Sequence, residues 1–96
     1  MEETNKYIQM MEEHLRILDA RLQELSAKVE AARAQTKADL EPQLEAFRAK
    51  REEAARRLEE LRGKGGEAWT EVQGGLENAW KELKEAVDRA LTRFNE

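Results

Sequence analysis

Residues 8–29 read Ile8-Gln9-Met10-Met11-Glu12-Glu13-His14-Leu15-Arg16-Ile17-Leu18-Asp19-Ala20-Arg21-Leu22-Gln23-Glu24-Leu25-Ser26-Ala27-Lys28-Val29. Ile8, Leu15, Leu22 and Val29 fall seven apart, and Met11, Leu18, Leu25 and Ala32 fall seven apart between them. Apolar side chains at alternating three- and four-residue steps line one stripe of a helix and mark a supercoiling seam. A strand needs alternation at period two, and the intervening residues do not supply it. The N-terminal third is therefore a coiled-coil helix.

Beyond this seam the rhythm changes. Ala32, Thr36, Leu40, Leu44 and Phe47 step by four, four, four and three, and Ala54, Leu58 and Leu61 then resume the heptad, with Arg51 at an otherwise apolar position. An inserted four-residue step is a stutter, which locally unwinds a left-handed supercoil. Pro42 lies in this region, where it removes a backbone hydrogen bond and crowds the carbonyl of Ala38. No Gly or Asn flanks Pro42, which favours a kink in one long helix over 4–62. The alternative sets Asp39 as an N-cap with Pro42 in the first turn of a new helix, giving a three-helix bundle broken near Pro42. The firm stop is Gly63-Lys64-Gly65-Gly66, a turn over 63–66, after which Glu67 opens a helix over 67–94 with an acid at its positive end.

That last helix keeps a different period. Trp69, Trp80 and Leu91 are eleven apart, as are Val72, Leu83 and Phe94. Eleven residues in three turns favour a nearly straight helix. A second stripe of small residues, Ala68, Gly75, Ala79, Ala86 and Ala90, runs beside the tryptophans, so the helix is expected to touch two neighbours.

The composition agrees with slender helices. Of the 96 residues, 40% are charged and 5% aromatic, and 17 basic residues nearly balance 21 acidic ones for a net charge of -4. The two signs are interspersed, which gives little attraction for DNA or anionic membranes and sets nucleic acid aside as a partner. There is no cysteine, so neither disulfides nor thiolate chemistry enter. The start, Met1-Glu-Glu-Thr-Asn-Lys6, is polar where a secretory signal would be basic and then apolar. No apolar run approaches the roughly 20 residues that span a bilayer. These features predict one helical domain over 1–96 in the cytoplasm.

Few residues have the spacing of a catalytic or metal constellation. His14 is the sole histidine. Met10, Met11 and His14 form the one set suited to a soft copper ion, but their ordinary reading is a histidine beside a methionine-bearing seam. No Glu-x-x-His motif exists, because position 11 is Met, which removes a di-iron bundle site. The pairs Glu12/Glu13, Glu52/Glu53 and Glu59/Glu60 are sequence neighbours and diverge around a helix. Arg48-Ala-Lys-Arg51 with Arg56-Arg57 is interrupted by acids and lacks interleaved aromatics. Gly63–Gly66 follows no strand and precedes no Lys-Ser/Thr, so it is a turn and not a phosphate loop. The expectation is a chain that is not an enzyme and uses no cofactor and no metal.

The stretch Glu67-Ala-Trp-Thr-Glu-Val-Gln-Gly-Gly-Leu-Glu-Asn-Ala-Trp-Lys-Glu-Leu-Lys84 resembles the C-terminal signature of small, mostly uncharacterised bacterial coiled-coil proteins that pair a long charged helix with a shorter Trp-bearing one. The resemblance implies architecture and a bacterial source, and it carries over no catalytic residue. The eleven-residue step is also similar to that of apolipoproteins and late-embryogenesis-abundant proteins, although here it spans a single helix and lacks a lysine-flanked lipid face.

Taken together, the sequence predicts an all-α antiparallel helical hairpin with one long kinked helix and one shorter return helix. A helix over 4–62 would be about 88 Å long and the return helix only about 42 Å, which leaves the N-terminal seam without an intrachain partner. Ile8, Met11, Leu15, Leu18, Leu22, Leu25 and Val29 are thus the expected self-association interface of a homodimer or of a complex with another helical protein. Trp69 and Trp80 are candidate partner anchors. The expected function is structural or adaptor, through helix–helix association. The alternative is lipid- or membrane-surface binding by the Trp-bearing helix.

Overall fold

A computed structural model describes residues 2–95, with side chains over 5–94. Three helices of nearly equal length pack together: α1 over Glu2–Glu30, α2 over Ala34–Leu61 and α3 over Gly66–Thr92, followed by a single 3-10 turn at Arg93–Asn95. The long dimension is 49 Å and the other two are 18 and 17 Å. A helix of this length spans about 42 Å, so the three lie side by side.

This corrects the expected continuous helix over 4–62. The chain leaves helical geometry at Arg33, whose backbone is extended (φ −64°, ψ 155°), and Lys37 N–H then bonds to the Arg33 carbonyl to start α2. The break does not fall near Pro42 either, for Pro42 and Asp39 both lie inside α2. Pro42 is on the solvent side, where water can satisfy the carbonyl that its ring leaves unpaired.

Energetics account for the reversal. A straight helix would strand the seven apolar side chains of the α1 seam, each forfeiting roughly 1.5–3 kcal/mol. Interrupting a helix gives up about four intrahelical hydrogen bonds at roughly 0.5–1.5 kcal/mol net each. Burial wins. Folded back, Ile8, Met11, Leu15, Leu18, Leu22, Leu25 and Val29 enter one cluster with Leu40, Leu44, Phe47, Ala54, Leu58 and Leu61 of α2 and Leu76, Leu83, Val87, Ala90 and Leu91 of α3. No charged or polar residue is buried among the described residues.

Cross-helix pairs fix the directions. Asp19 meets Arg51 and Glu12 meets Arg62, so α1 and α2 run antiparallel. Asp39 meets Arg93, so α2 and α3 do as well. Tyr7 meets Glu77 and Arg21 meets Asp88, so α1 and α3 are parallel. The second reversal is built for turning: Gly65 is the N-cap of α3, Gly66 adopts φ +59°, and Glu67 sits in the first turn.

The two stripes of α3 meet different neighbours. Its small side faces α2, where the Arg57 guanidinium lies over Gly75, and Ala86 and Ala90 adjoin Gln43 and Phe47. Its tryptophan side faces α1, where Trp69 meets Tyr7 and Trp80 meets His14. No helix among the described residues is long and apolar enough to cross a membrane.

Candidate association surface

The α1 seam singled out in the sequence does not form an open edge. Its seven members are between 1% and 6% exposed, each covered by α2 and α3 of the same chain. The premise behind that assignment was an uncovered N-terminal stripe, and in this structure the stripe is core. Ile8 to Val29 therefore present no surface to a partner while the three helices are closed.

Trp69 and Trp80 are half-buried in the cleft between α1 and α3. The Tyr7 ring meets Trp69 edge-on, with centroids 5.3 Å apart at 66°, and His14 stacks on Trp80 at 5.2 Å and 12°. Such pairs contribute about 0.5–1.5 kcal/mol beyond the area they bury. The Tyr7 hydroxyl donates to Glu77 at 3.2 Å. Burial, and then the Glu77 charge, push the Tyr7 phenol up to about 12 from its ordinary 10.0. Both tryptophans thus act inside the molecule, binding α3 to α1. The cleft is imperfect: Trp69 Nε1 and His14 Nδ1 are buried with no hydrogen-bond partner, and an unmade bond of this kind costs roughly 1–3 kcal/mol.

The titratable groups do not converge. Among the described residues no group of three or more His, Cys, Asp and Glu is placed to hold a metal ion. Met11 is in the core while Met10 is 45% exposed, so the two methionines beside His14 diverge. Part of the basic stretch of α2 is held by internal contacts. Arg48 donates to Ser26, Arg51 makes a two-pronged contact with Asp19 at 2.8 and 2.9 Å, and Arg57 binds Glu53. Arg51, the charge in an apolar heptad position, thereby locks α2 to α1.

No family model, curated protein or solved structure matches this chain.

One feature of the surface was missed in the sequence. Among the described residues, Met10 and Ile17 are the large hydrophobic residues left exposed, at 45% and 48%. They lie one heptad apart on the outer side of α1, flanked by the exposed Glu13–Arg16 ion pair and by Ala20. The signal was present as a second seven-residue step, Met10 to Ile17, one position out of phase with the long seam at each end. A two-member stripe beside a seven-member one reads as its edge, and only the helix rotation in the folded chain shows it facing water.

Proposed function

We propose that this chain is a non-catalytic structural or adaptor protein that works through helix–helix association, with a second copy as its first partner. The observation that carries the reading is the outward Met10–Ile17 pair at heptad spacing on α1. Two apolar residues seven apart are one repeat of a coiled-coil seam. A two-fold pairing of two α1 helices would set Met10 of each copy beside Ile17 of the other, with Glu13 and Arg16 alongside to exchange charge. The patch is therefore complementary to itself, as an isologous contact requires.

Its size sets the strength. Two side chains per copy bury far less than the roughly 1,200–2,000 Å² of a stable complex, so contact on this face alone is weak, at roughly 0.1 mM or above. A bacterial, cytoplasmic adaptor of this kind would rely on high local concentration or on a longer partner helix.

The test is an amide chemical-shift titration on dilution from about 1 mM. Resonances of Met10, Glu13, Ile17 and Ala20 should move together, and the Met10→Glu/Ile17→Glu variant should abolish the movement with its helix content intact. Shifts that ignore this face, or that persist in the variant, remove the reading.

A further inference from the structure

The two reversals of this chain are built from different chemistry. The second has Gly65 and Gly66, a positive φ at Gly66, and an acid in the first turn of α3. The first has none of this. It is Ala31-Ala32-Arg33, with no Gly, Pro or Asn, and Ala and Arg stand among the strongest helix formers. Backbone bonds of the α1 end run on through Ala31 to Ala27 and Ala32 to Val29. Arg33 is the residue that turns the chain, held at ψ 155° where a helix has about −42°.

The start of α2 is also poorly suited to being an end. It has no side-chain cap and no acid in its first turn. Arg33 and Lys37 instead put cations against the positive end of the helix, the unfavourable sign. The first N–H groups of α2 have no intrahelical partner. If the helix ran straight through, these N–H groups would find the carbonyls of Glu30 to Ala32, and both cations would sit mid-helix, where the end dipole does not act. Locally the sequence of residues 30–37 specifies continuous helix. Only the burial of the α1 seam bends it.

That burial does not have to come from the same chain. We infer that this protein exchanges α1 with a second copy, forming a dimer in which residues 2–61 make one unbroken helix and each α1 lies on α2 and α3 of the other molecule. Every α1 contact is then remade unchanged in the partner copy. These include the seven-residue seam, Asp19 with Arg51, Glu12 with Arg62, Arg21 with Asp88, and His14 on Trp80. Exchange of an identical element is a low-cost route to a dimer, with the changed contacts confined to the junction. The α2–α3 hairpin stays intact, closed by its glycine turn and by the core that Leu44, Phe47, Leu58 and Leu61 share with Leu76, Leu83, Val87 and Ala90. To exchange, α1 leaves both α2 and α3, and on its α3 side two polar atoms, Trp69 Nε1 and His14 Nδ1, are buried without a partner. A short connection between packed helices is where such swaps arise. The inner seam, and not the outer Met10–Ile17 stripe, carries this association, so it stands or falls apart from the function proposed above.

Intramolecular closure acts as an effective concentration on the mM scale, so exchange should appear in chain refolded near 1 mM and fade on dilution. The chain has no native cysteine, so labels can be placed at the exposed Ala20 and Ala49. Ala20→Cys/Ala49→Cys chains carrying spin labels, diluted into excess unlabelled chain, report the intrachain distance alone. Exchange predicts about 44 Å, the length of 29 helical residues, together with a doubled mass by light scattering. Ala34→Pro is the matched variant. It places proline at the first position of α2, where Arg33 already has the extended backbone that a following proline demands. Closed chains tolerate it, while an unbroken helix does not, so the dimer dissociation constant should rise at least about a hundredfold. Met10→Glu/Ile17→Glu should leave the exchanged dimer unaffected. A monomer at about 1 mM overturns the inference. So does a dimer whose intrachain labels stay close, whichever variant disrupts it. The distance in the parent chain decides the matter even if Ala34→Pro fails to fold.

Discussion

Leu18→Ala tests the rotation of α1 more directly than any other single change. Leu18 is 1% exposed, in the middle of the buried seam, while its neighbour Ile17 is 48% exposed. The two differ by one position and by about 100° around the helix. Truncating Leu18 removes three buried carbons, which at about 0.8 kcal/mol each is a transfer loss near 2.4 kcal/mol. The cavity left among α2 and α3 side chains raises this to about 3–4 kcal/mol. Domains of this size are stable by only about 5–15 kcal/mol. With each kcal/mol worth roughly 4–8 °C for 60–100 residues, the Tm should fall by about 12–30 °C. Ile17→Ala, at the water-facing position, should stay within about 1 kcal/mol of the parent.

The assay is a pair of thermal melts by circular dichroism with urea melts beside them, at about 5 µM and again after tenfold dilution. Equal losses for the two variants would mean that α1 is rotated differently from the structure. A parent Tm that drops on dilution would mean that a second chain supplies the cover even at low concentration, since only association makes Tm concentration-dependent.

Other outcomes follow from particular contacts. The Tyr7 phenol is pushed up to about 12 from 10.0, chiefly by burial, so the folded chain keeps a proton that the unfolded chain loses. Its contribution is complete below about pH 10 and is lost as pH rises through about 12, so Tyr7→Phe should flatten the alkaline fall of Tm between about pH 10 and 12. Gly74 sits inside α3 with open space around its missing side chain. Gly74→Ala should therefore stabilise by about 0.5–1 kcal/mol, read as a higher urea midpoint at constant m. Gly75→Ala would meet only the end of the flexible Arg57 side chain, which can swing aside at the cost of its exposed pair with Glu53, so the urea midpoint should shift by no more than about 1 kcal/mol in stability. Trp69 and Trp80 pack on Tyr7 and His14, so their emission should not shift on addition of anionic vesicles. A blue shift would favour the lipid-surface alternative, with α3 released from α1.

The helical class was legible because its signal is redundant. Seven apolar residues at heptad steps from Ile8 to Val29 all entered the core, and the glycines at 63–66 turned the chain as their composition demands. The helix with the eleven-residue repeat touches two neighbours, a small side on α2 and a tryptophan side on α1, which its two stripes implied. The first reversal was not legible in the same way. Proline drew attention to position 42, yet a solvent-facing proline in a long helix is tolerable, whereas Ala31-Ala32-Arg33 contains no residue that opposes helix. What marks it is the stutter from Ala32 to Leu40, which changes the seam from one covered face to the next, and a phase change tells of supercoil as readily as of a turn.

The surface was harder to read than the core for a physical reason. Heptad logic identifies a stripe that must be covered and is silent about what covers it. The α1 seam was assigned to a second copy because a straight helix leaves it bare, and the folded chain covers it with its own α2 and α3. Both answers satisfy the same seven side chains with the same partners, Arg51 for Asp19 and Arg62 for Glu12 among them. Their free energies differ only at the junction and in the entropy of joining two chains. A bend at Arg33 of a few kcal/mol against an effective concentration on the mM scale is a close contest. A sequence can therefore encode the contacts of α1 firmly while leaving open which molecule provides them, and the choice rests on three residues outside the buried core.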